Sequence, residues 1–247
     1  MQEQKTDTLM DGRHSRTERL LGKEAVEKLW KSKVAVIGLG GVGSYVAEAL
    51  ARAGVGRFLL LDSDRIAESN INRQITATYD TVGKPKTEVA AQRIFSINPK
   101  AQVDCYQMFL GKDTIDDVDF SGCHYIADAI DNISAKILLV EKAVQLGIPI
   151  ISSMGTGNKL NPMAFQVADI SKTCVCPLAR VMRRELKKRG FEKLDVVFST
   201  EQPITTVDMK EETEKNGGKP IPASISFVPS AAGLLMASHI VKKMILC

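Results

Sequence analysis

The sequence predicts an α/β fold, a doubly wound and mostly parallel sheet that is extended by a mixed or antiparallel C-terminal portion and a closing helix. A run of apolar residues, 34–37, precedes a glycine-rich turn and a helical pattern, which is the order strand, turn, helix. Strand and helix patterns then alternate as far as residue 153, as is typical of a parallel sheet covered on both faces. After Gly157 the pattern changes, and the chain ends in a long apolar helical stretch.

The spacing of apolar residues and the local turn signals place the elements in order. The glycine helix carries its apolar residues on one face, and Pro85 and Asn98-Pro99 suit the start and end of the next helix. The segment 101–106 alternates between polar and apolar residues, which indicates a strand. Helices are predicted over 15–30, 44–53, 87–97, 136–146, 177–189 and 229–246, and strands over 34–37, 57–61, 101–106, 125–132 (running into a loop), 149–153, 164–170 and 195–199.

The composition is that of a soluble globular protein, with 44% apolar and 25% charged residues. The net charge of +4 permits a nucleic-acid partner without demanding one. The first 19 residues lack the apolar core of a signal peptide. The stretch 227–241 is shorter than the roughly 20 residues of a membrane span, so we expect no membrane attachment. The five cysteines have no framework spacing, which predicts a cytoplasmic location.

Three glycines, Gly38, Gly40 and Gly43, follow the first strand at the G-x-G-x-x-G spacing, with Gly41 as an additional glycine. Glycines allow the backbone to approach a phosphate closely, and the N-terminus of the following helix offers unpaired N–H groups and a positive dipole end. Asp62 ends the next strand, where an acidic residue can accept hydrogen bonds from ribose hydroxyls. The sequence therefore predicts a Rossmann-like nucleotide site.

Charged residues further along the chain favour ATP over a dinucleotide. Arg73, Lys86 and Asp131 lie where loops should converge on the ends of the strands, and we expect the two cations to occupy exposed loop or helix-start positions. Asp128 and Asp131 are candidates for Mg²⁺, which prefers carboxylate and phosphate oxygens. Cations and a metal suit a triphosphate. The three histidines are scattered and form no recognisable hydride-transfer site, although an NAD-binding oxidoreductase stays open as an alternative.

The combination of these motifs resembles the ThiF/MoeB/HesA superfamily, the bacterial relatives of ubiquitin-activating enzymes. In the second half, motifs at 171–173, 177–179, 197–201 and 238–244 are similar to the tRNA threonylcarbamoyladenosine dehydratase branch of that superfamily. Arg13 and 19–22 fit that branch as well. In the first half, the resemblance rests on Gly38-Leu39-Gly40-Gly41-Val42-Gly43-Ser44, Asp62-x-Asp64, Asn70-x-Asn72-Arg73-Gln74, Lys86 and Asp128-x-x-Asp131-Asn132.

The resemblance implies one ThiF-type adenylation domain over 13–247 after a disordered start, 1–12. Its nucleotide-binding half would cover 13–155, and its substrate and dimer half 156–247, with a mobile loop near 201–224. The implied reaction is ATP-dependent dehydration and cyclisation of threonylcarbamoyladenosine in tRNA through an acyl-adenylate. The alternative is activation of the C-terminal Gly-Gly of a ubiquitin-like sulfur-carrier protein, and a non-enzymatic binding module also stays open.

The resemblance also implies roles for individual residues. Arg73, Lys86, Asp131 and Arg13 are the implied catalytic residues. Asp131 would organise Mg²⁺, and Arg13 would be an arginine finger across a homodimer interface, with Arg16 and Arg19 as alternatives. The implied nucleotide-binding residues are Gly38, Gly40, Gly41, Gly43, Asp62, Asp64, Asn70, Arg73, Gln74, Lys86, Asp128 and Asn132.

A basic helix is the predicted tRNA contact, with a solvated helix face as the alternative. A cysteine-desulfurase or sulfur-acceptor system is a further partner implied by the resemblance. The chain has one C-x-C pair, Cys174 and Cys176, where zinc-bearing relatives carry two C-x-x-C pairs, so we predict no structural zinc. No cysteine lies between Thr200 and Phe227, which argues against thioester chemistry. The basic residues of the predicted tRNA helix are Arg180, Arg183, Arg184, Lys187 and Lys188.

Overall fold

The structure, a computed structural model, describes residues 12–205 and 222–246. Seven strands form one sheet in the order β3-β2-β1-β4-β5-β7-β6. All neighbours pair in parallel except β6 and β7, which are antiparallel. The predicted fold class is therefore confirmed. The strands are β1 (Lys33–Ile37), β2 (Arg57–Leu61), β3 (Gln102–Tyr106), β4 (Tyr125–Asp128), β5 (Ile150–Ser153), β6 (Phe165–Asp169) and β7 (Asp195–Ser199).

The helices agree with the sequence pattern to within about two residues, except near the N-terminus and at the start of the helix that follows β4. One helix was expected over 15–30, but Gly22 at φ 86° divides it into two. Another was expected from residue 136, but it begins three residues earlier because the Asn132 side chain accepts the Ala135 N–H. The helices are α1 (Ser15–Leu21), α2 (Lys23–Lys31), α3 (Gly43–Ala53), α4 (Lys86–Ile97), α5 (Ile133–Leu146), α6 (Pro177–Lys188) and α7 (Phe227–Leu246).

The core lies on both faces of the sheet, which explains the continuous apolar run of β1. Val34 and Val36 point into a core shared with α3, α4 and α7. Ala35 and Ile37 point into the opposite core, beneath α5. Successive side chains of a strand alternate between faces, so a central parallel strand must be apolar at every position. The edge strand β3 is mostly exposed, and this position accounts for its alternating sequence.

The closing helix α7 packs along α3 at short range. A Cβ on Gly233 would lie 2.5 Å from the carbonyl oxygen of Val42 and 3.0 Å from the Cβ of Tyr45. The buried side chains of Val228, Met236 and Ile240 join the same core. The length and hydrophobicity of α7 are thus explained by its packing in the core. Within the described part of the chain, no helix is long and apolar enough to cross a membrane.

The turn between β1 and α3 depends on two glycines. Gly38 has a φ of 89°, in the left-handed region that residues with a Cβ rarely adopt. A Cβ on Gly43 would lie 1.7 Å from the carbonyl oxygen of Gly38, so the first turn of α3 lies directly on the strand end. This contact aims the N-terminus of α3 over the carboxyl edge of the sheet.

The expected disordered start and mobile loop lie largely outside the described residues. Gly12, the last residue of the expected disordered start, begins a short 3₁₀ turn. The described ends of the loop are fixed to Asn158. Its carbonyl oxygen accepts the Ile204 N–H at 2.7 Å, and its Oδ1 accepts the Ala223 N–H at 2.7 Å.

The buried carboxylate of Glu48 ties α3 to α4. It accepts hydrogen bonds from Arg52 at 2.7 Å and from Arg93 at 2.8 Å. Burial alone would raise the pKa of Glu48, but these two guanidinium groups hold it below its usual value. The interaction therefore requires an ionised Glu48.

We predict that Gly43→Ala destabilises the protein by about 3 kcal/mol or more, because the new methyl group overlaps a backbone oxygen that cannot move away. Gly40→Ala is the matched control, since a Cβ there meets no atom within 4 Å. It should change the free energy of unfolding by less than about 1 kcal/mol. Urea titrations followed by circular dichroism measure both values, and equal losses would contradict the proposed packing role of Gly43.

Glu48→Gln should lower the free energy of unfolding at pH 7 by about 2 kcal/mol, because two charge-assisted hydrogen bonds are lost. A carboxyl whose pKa is depressed on folding stabilises the protein above its unfolded pKa of about 4.3 and loses that contribution as the pH falls through the folded value. The difference in the free energy of unfolding between wild type and Glu48→Gln should thus become smaller below about pH 4. The control is Glu192→Gln, since Glu192 is exposed. A difference in unfolding free energy between wild type and Glu48→Gln that did not change with pH would contradict the stabilising role of the ionised Glu48 carboxylate.

Candidate active site

A crevice of about 790 Å³ opens at the carboxyl ends of β1, β2, β4 and β5. The strand order reverses between β1 and β4, and such switch points are where open α/β sheets bind ligands. Most of the residues that were predicted from the sequence to form the site meet here. Those that line the crevice are Gly38, Gly40, Gly41, Asp62, Asp64, Asn70, Arg73, Gln74, Lys86 and Asp131.

The glycine turn is held to β2 by the carboxylate of Asp62. Its Oδ2 accepts the Leu39 N–H at 2.7 Å, and its Oδ1 accepts the Asp64 N–H at 2.8 Å. Among the described residues, no backbone carbonyl accepts the N–H groups of Gly41 and Val42. These amides lie at the positive end of α3, so the turn is arranged to receive an anion.

Gly43 differs from the other three glycines. It does not line the crevice, and its lack of a side chain is used for the contact with Gly38. The structure therefore places Gly43 in the packing beneath the turn, whereas the sequence predicts it as a nucleotide contact. Gly41 lies at the crevice wall, where a Cβ would be 3.1 Å from Pro229 and 3.4 Å from the Cγ of Arg73.

Lys86 is buried, contrary to the expectation of an exposed position. Its ammonium group lies 2.7 Å from Asp64 Oδ2 and 3.7 Å from Asp62 Oδ1, and its side chain is 7% exposed. The hydrogen bond from Lys86 holds the pKa of the Asp64 carboxyl below its usual value. Lys86 begins α4 as predicted, but the two carboxylates fold its side chain inward, towards the crevice.

Arg73 and Gln74 follow a short 3₁₀ turn, 68–70. The guanidinium of Arg73 donates to the Ser69 carbonyl at 2.7 Å and to Asn72 Oδ1 at 2.8 Å, and the residue is half-buried. Gln74 is 5% exposed, and its Oε1 has no hydrogen-bond partner within the described ranges. Buried amide oxygens normally have a partner, so this acceptor suits a ligand donor in the crevice. Asn70 lies at the end of the same 3₁₀ turn. Its side-chain Oδ1 accepts the Ala67 N–H at 3.0 Å and thereby stabilises the turn.

Asp131 is exposed at the crevice, whereas its neighbours Asp128 and Asn132 do not line it. Asp128 is fully buried, with its Oδ2 3.0 Å from Lys136 Nζ and 2.6 Å from Ser152 Oγ. The structure places Asp128 away from the crevice, contrary to its predicted position as a nucleotide or metal contact, because a buried carboxylate must be paired within the protein. Asn132 caps α5 instead.

The Asp128 carboxylate nevertheless acts on the crevice indirectly. Its Oδ1 accepts the N–H of Ile130 at 3.2 Å, and Ile130 lines the crevice beside Asp131. The ion pair with Lys136 therefore fixes the loop that presents Asp131.

Arg13 does not reach the crevice of its own chain. Its Nη1 donates to the Ile97 carbonyl at 2.9 Å and to Asn98 Oδ1 at 3.1 Å. Those residues end α4, whose other end carries Lys86, and a helix of this length spans roughly 18 Å. Arg16 and Arg19 are exposed on α1.

The basic helix α6 presents fewer free cations than its sequence indicates. Arg183 is turned inward, with Nη1 2.9 Å from the Thr173 carbonyl and 2.6 Å from its Oγ1. The guanidinium of Arg183 is thus engaged within the protein, whereas the sequence predicts it as a phosphate contact. Arg184 and Lys188 pair with Glu185. Within the described part of the chain, Arg180 and Lys187 are exposed and have no ion-pair partner.

Sequence reasoning missed two further parts of the crevice wall. Met108, Phe109 and Leu110 follow the carboxyl end of β3 and give the crevice an apolar side. The segment 153–157 begins at the last residue of β5 and continues into the loop after it. Their position directly after predicted strands was an available signal, since ligands gather at the carboxyl ends of strands. Apolar and small residues carry no charge pattern, so the search for cations and carboxylates passed over them.

The chain matches the family model described as "ThiF family" over residues 13–247. It is 46% identical over 237 residues to a tRNA threonylcarbamoyladenosine dehydratase of Bacillus subtilis, covering 92% of each chain. It is 36% identical over 247 residues to the Escherichia coli protein of the same name, covering 92% of this chain and 91% of that one.

Solved structures give the same result for the fold. The Escherichia coli dehydratase TcdA in complex with ATP superposes with a TM-score of 0.85 at 35% identity, covering 95% of this chain and 94% of that one. The same protein in complex with AMP gives a TM-score of 0.85 at 34% identity, with the same coverage. With the crevice, the family match and these relatives taken together, the chain belongs to the ThiF family.

Proposed function

We propose that this protein catalyses the ATP-dependent dehydration and ring closure of threonylcarbamoyladenosine in tRNA. The observation that carries the proposal is the convergence of the glycine turn, Arg73, Lys86 and Asp131 on one crevice, in a chain 46% identical to a dehydratase over 92% of both lengths. A dinucleotide held by backbone amides has no need of two cations and a carboxylate at the same place.

The lining of the crevice suggests how ATP would be oriented in the proposed complex. Its phosphates meet the free amides of Gly41 and Val42, with Arg73 and Lys86 neutralising their charge. Asp62 retains lone pairs for the ribose hydroxyls because a carboxylate can accept about four hydrogen bonds and two are used. The apolar side at Met108 and Phe109 suits the adenine ring.

Magnesium is part of the proposal, with Asp131 as its protein ligand. Within residues 12–205 and 222–246 no group of three His, Cys, Asp or Glu side chains could hold a metal. A single exposed carboxylate facing a triphosphate fits Mg²⁺, which is bound through one or two carboxylates, substrate phosphates and several waters. Bound there, the ion would offset phosphate charge during adenylation.

The reaction divides into two transfers. The threonylcarbamoyl carboxylate attacks the α-phosphorus of ATP, and pyrophosphate leaves. A nitrogen of the same substrate group then attacks the activated acyl carbon, loses its proton and expels AMP as the ring closes. The product is the substrate less one water, because one carboxylate oxygen leaves on AMP and the attacking nitrogen loses its proton; conversion of ATP to AMP and pyrophosphate supplies the driving force. Arg73 and Lys86 stabilise the charge that grows on the α-phosphate in the first transfer.

The acceptor enters from the side opposite the adenine pocket. Residues 153–157, Leu178 and Ser224 form that wall, and Leu178 lies on α6. The exposed cations Arg180 and Lys187 continue along the same helix, so tRNA phosphates on α6 would bring the modified base toward the crevice.

The quaternary state and the cellular setting are further parts of the proposal, and family membership supports them. We infer a homodimer in which Arg13, or Arg16 or Arg19 beside it, serves the partner's crevice, because none of the three reaches its own. The cytoplasm is the inferred location, with a cysteine-desulfurase or sulfur-acceptor system as a partner. Sedimentation of the purified protein tests the dimer directly.

Arg73→Ala and Lys86→Gln should each lower the rate of dehydration about 100- to 1000-fold, because each removes a cation from the phosphates. The exposed Lys84, changed to Ala, is the control and should keep full activity. The assay incubates protein, ATP, Mg²⁺ and threonylcarbamoyl-modified tRNA and measures loss of one water by mass spectrometry. Thermal unfolding verifies that each variant is folded.

No loss of mass with folded wild-type protein would reject the dehydratase proposal. If pyrophosphate exchange were then stimulated by a small protein ending in Gly-Gly and not by tRNA, the carrier-activating alternative would replace it. Stronger thermal stabilisation by reduced nicotinamide dinucleotide than by ATP would instead favour an oxidoreductase.

Arg180→Gln with Lys187→Gln should weaken tRNA binding and reduce the slope of log affinity against log salt by about 1 to 2, since each phosphate contact contributes about 0.7 to 0.9. Arg184→Gln is the matched control on the same helix, because its cation is already paired with Glu185. Filter binding across a salt series measures the slope. An unchanged slope would remove α6 from the tRNA surface.

A further inference from the structure

A second cavity, of about 720 Å³, lies at the amino ends of β1, β4, β5 and β7. The crevice described above lies at the carboxyl ends of the same sheet. A strand of five residues is roughly 16 Å long. The two openings lie at opposite ends of the same strands, so about one strand length separates them. The cavity is therefore a separate feature and not an extension of the nucleotide crevice.

The floor and walls of this cavity are mainly apolar. Tyr125, Leu194 and Met244 are buried along it, and Val140 adds a buried aliphatic side chain from α5. Val144, one turn further along α5, is 55% exposed although it is aliphatic. A concave apolar surface of this volume is within the range that small-molecule sites occupy.

The rim carries four lysines, Lys28 and Lys31 from α2, Lys193 before β7 and Lys243 from α7. All four are exposed, and within residues 12–205 and 222–246 no carboxylate pairs with them. Three separate elements thus bring unpaired positive charge to the opening of one apolar cavity.

The two carboxylates that line the cavity, Asp169 and Asp195, form hydrogen bonds with groups other than the rim lysines. Asp195 Oδ2 lies 3.0 Å from His239 Nε2. Asp169 accepts the N–H groups of Ser171 at 2.9 Å and of Leu194 at 3.3 Å. Neither carboxylate pairs with a rim lysine, so the described residues give the opening a net positive charge.

We propose that this cavity binds a free small molecule with an aliphatic or aromatic body and one anionic head, a carboxylate or a phosphate. The apolar body of the ligand would cover the apolar lining of the cavity and the exposed Val144 side chain. Removing these apolar surfaces from water is the main favourable contribution to the binding free energy. The head lies among the rim lysines, where it gains charge-assisted hydrogen bonds. A neutral ligand of the same shape would lack the second interaction, and an inorganic anion would lack the first.

The test uses 1-anilinonaphthalene-8-sulfonate, which has an aromatic body and one anionic group and fluoresces when its surroundings become apolar. The folded wild-type protein should bind it saturably in the presence of saturating Mg·ATP, because the nucleotide occupies the other edge of the sheet. Decanoate should displace the probe at concentrations at least tenfold below those required for decanol, its neutral counterpart.

The variant Lys31→Gln with Lys243→Gln should bind the probe about tenfold more weakly, since each exposed charge contact is worth up to about fivefold. The matched control is Lys23→Gln with Lys242→Gln, which makes the same charge change on the same two helices without touching the cavity lining. That control should retain wild-type affinity. Equal weakening by both pairs would show a general charge effect and overturn the proposal.

Two other results would also overturn it. Displacement of the probe by Mg·ATP would place the probe in the nucleotide crevice. Binding to phosphatidylglycerol vesicles, together with no displacement of the probe by free decanoate, would assign the lysines to a lipid surface instead of a site for a free ligand. None of these measurements depends on the dehydratase activity, so failure of one proposal leaves the other intact.

Discussion

The contact between Gly43 and the carbonyl oxygen of Gly38 is the constraint on which the site depends. It allows the first turn of α3 to lie directly on the end of β1, so that the amides of Gly41 and Val42 face the crevice. Asp62 then holds the turn from the neighbouring strand through the Leu39 N–H. A backbone held from both sides does not need to be ordered when an anion binds, so less of the binding free energy is lost.

Charged side chains around the crevice are divided between those that support it and those that face the ligand. The Asp128 and Lys136 pair is fully buried and fixes the loop before α5, whereas Asp131, three residues later, is exposed. Lys86 lies between these extremes, held by Asp62 and Asp64 at the crevice wall. The two carboxylates keep this ammonium from being an isolated buried cation, while it still lines the crevice.

The two edges of the sheet differ in chemistry. The carboxyl edge combines backbone amides, two cations and several carboxylates, which is a polar surface suited to a triphosphate. The amino edge is an apolar cavity whose rim carries four lysines, and none of them pairs with a carboxylate among the residues that the structure describes. In a doubly wound fold the helices begin at one edge and end at the other, so anion-binding helix N-termini are available at the carboxyl edge alone. At the amino edge, positive charge has to come from side chains.

The sequence by itself determined the order of strands and helices, the glycine turn and the residues that could bind phosphate, because these follow from local periodicity and from spacing along a few turns. It determined that Asp62, Arg73 and Lys86 would meet, since strand ends of a parallel sheet share one edge. It did not determine that Asp128 and Arg183 would turn inward, that Gly22 would break the first helix, or that four distant lysines would surround one cavity. Those outcomes depend on which side chains are brought together from remote parts of the chain, and pairing and burial of that kind are properties of the packed fold alone.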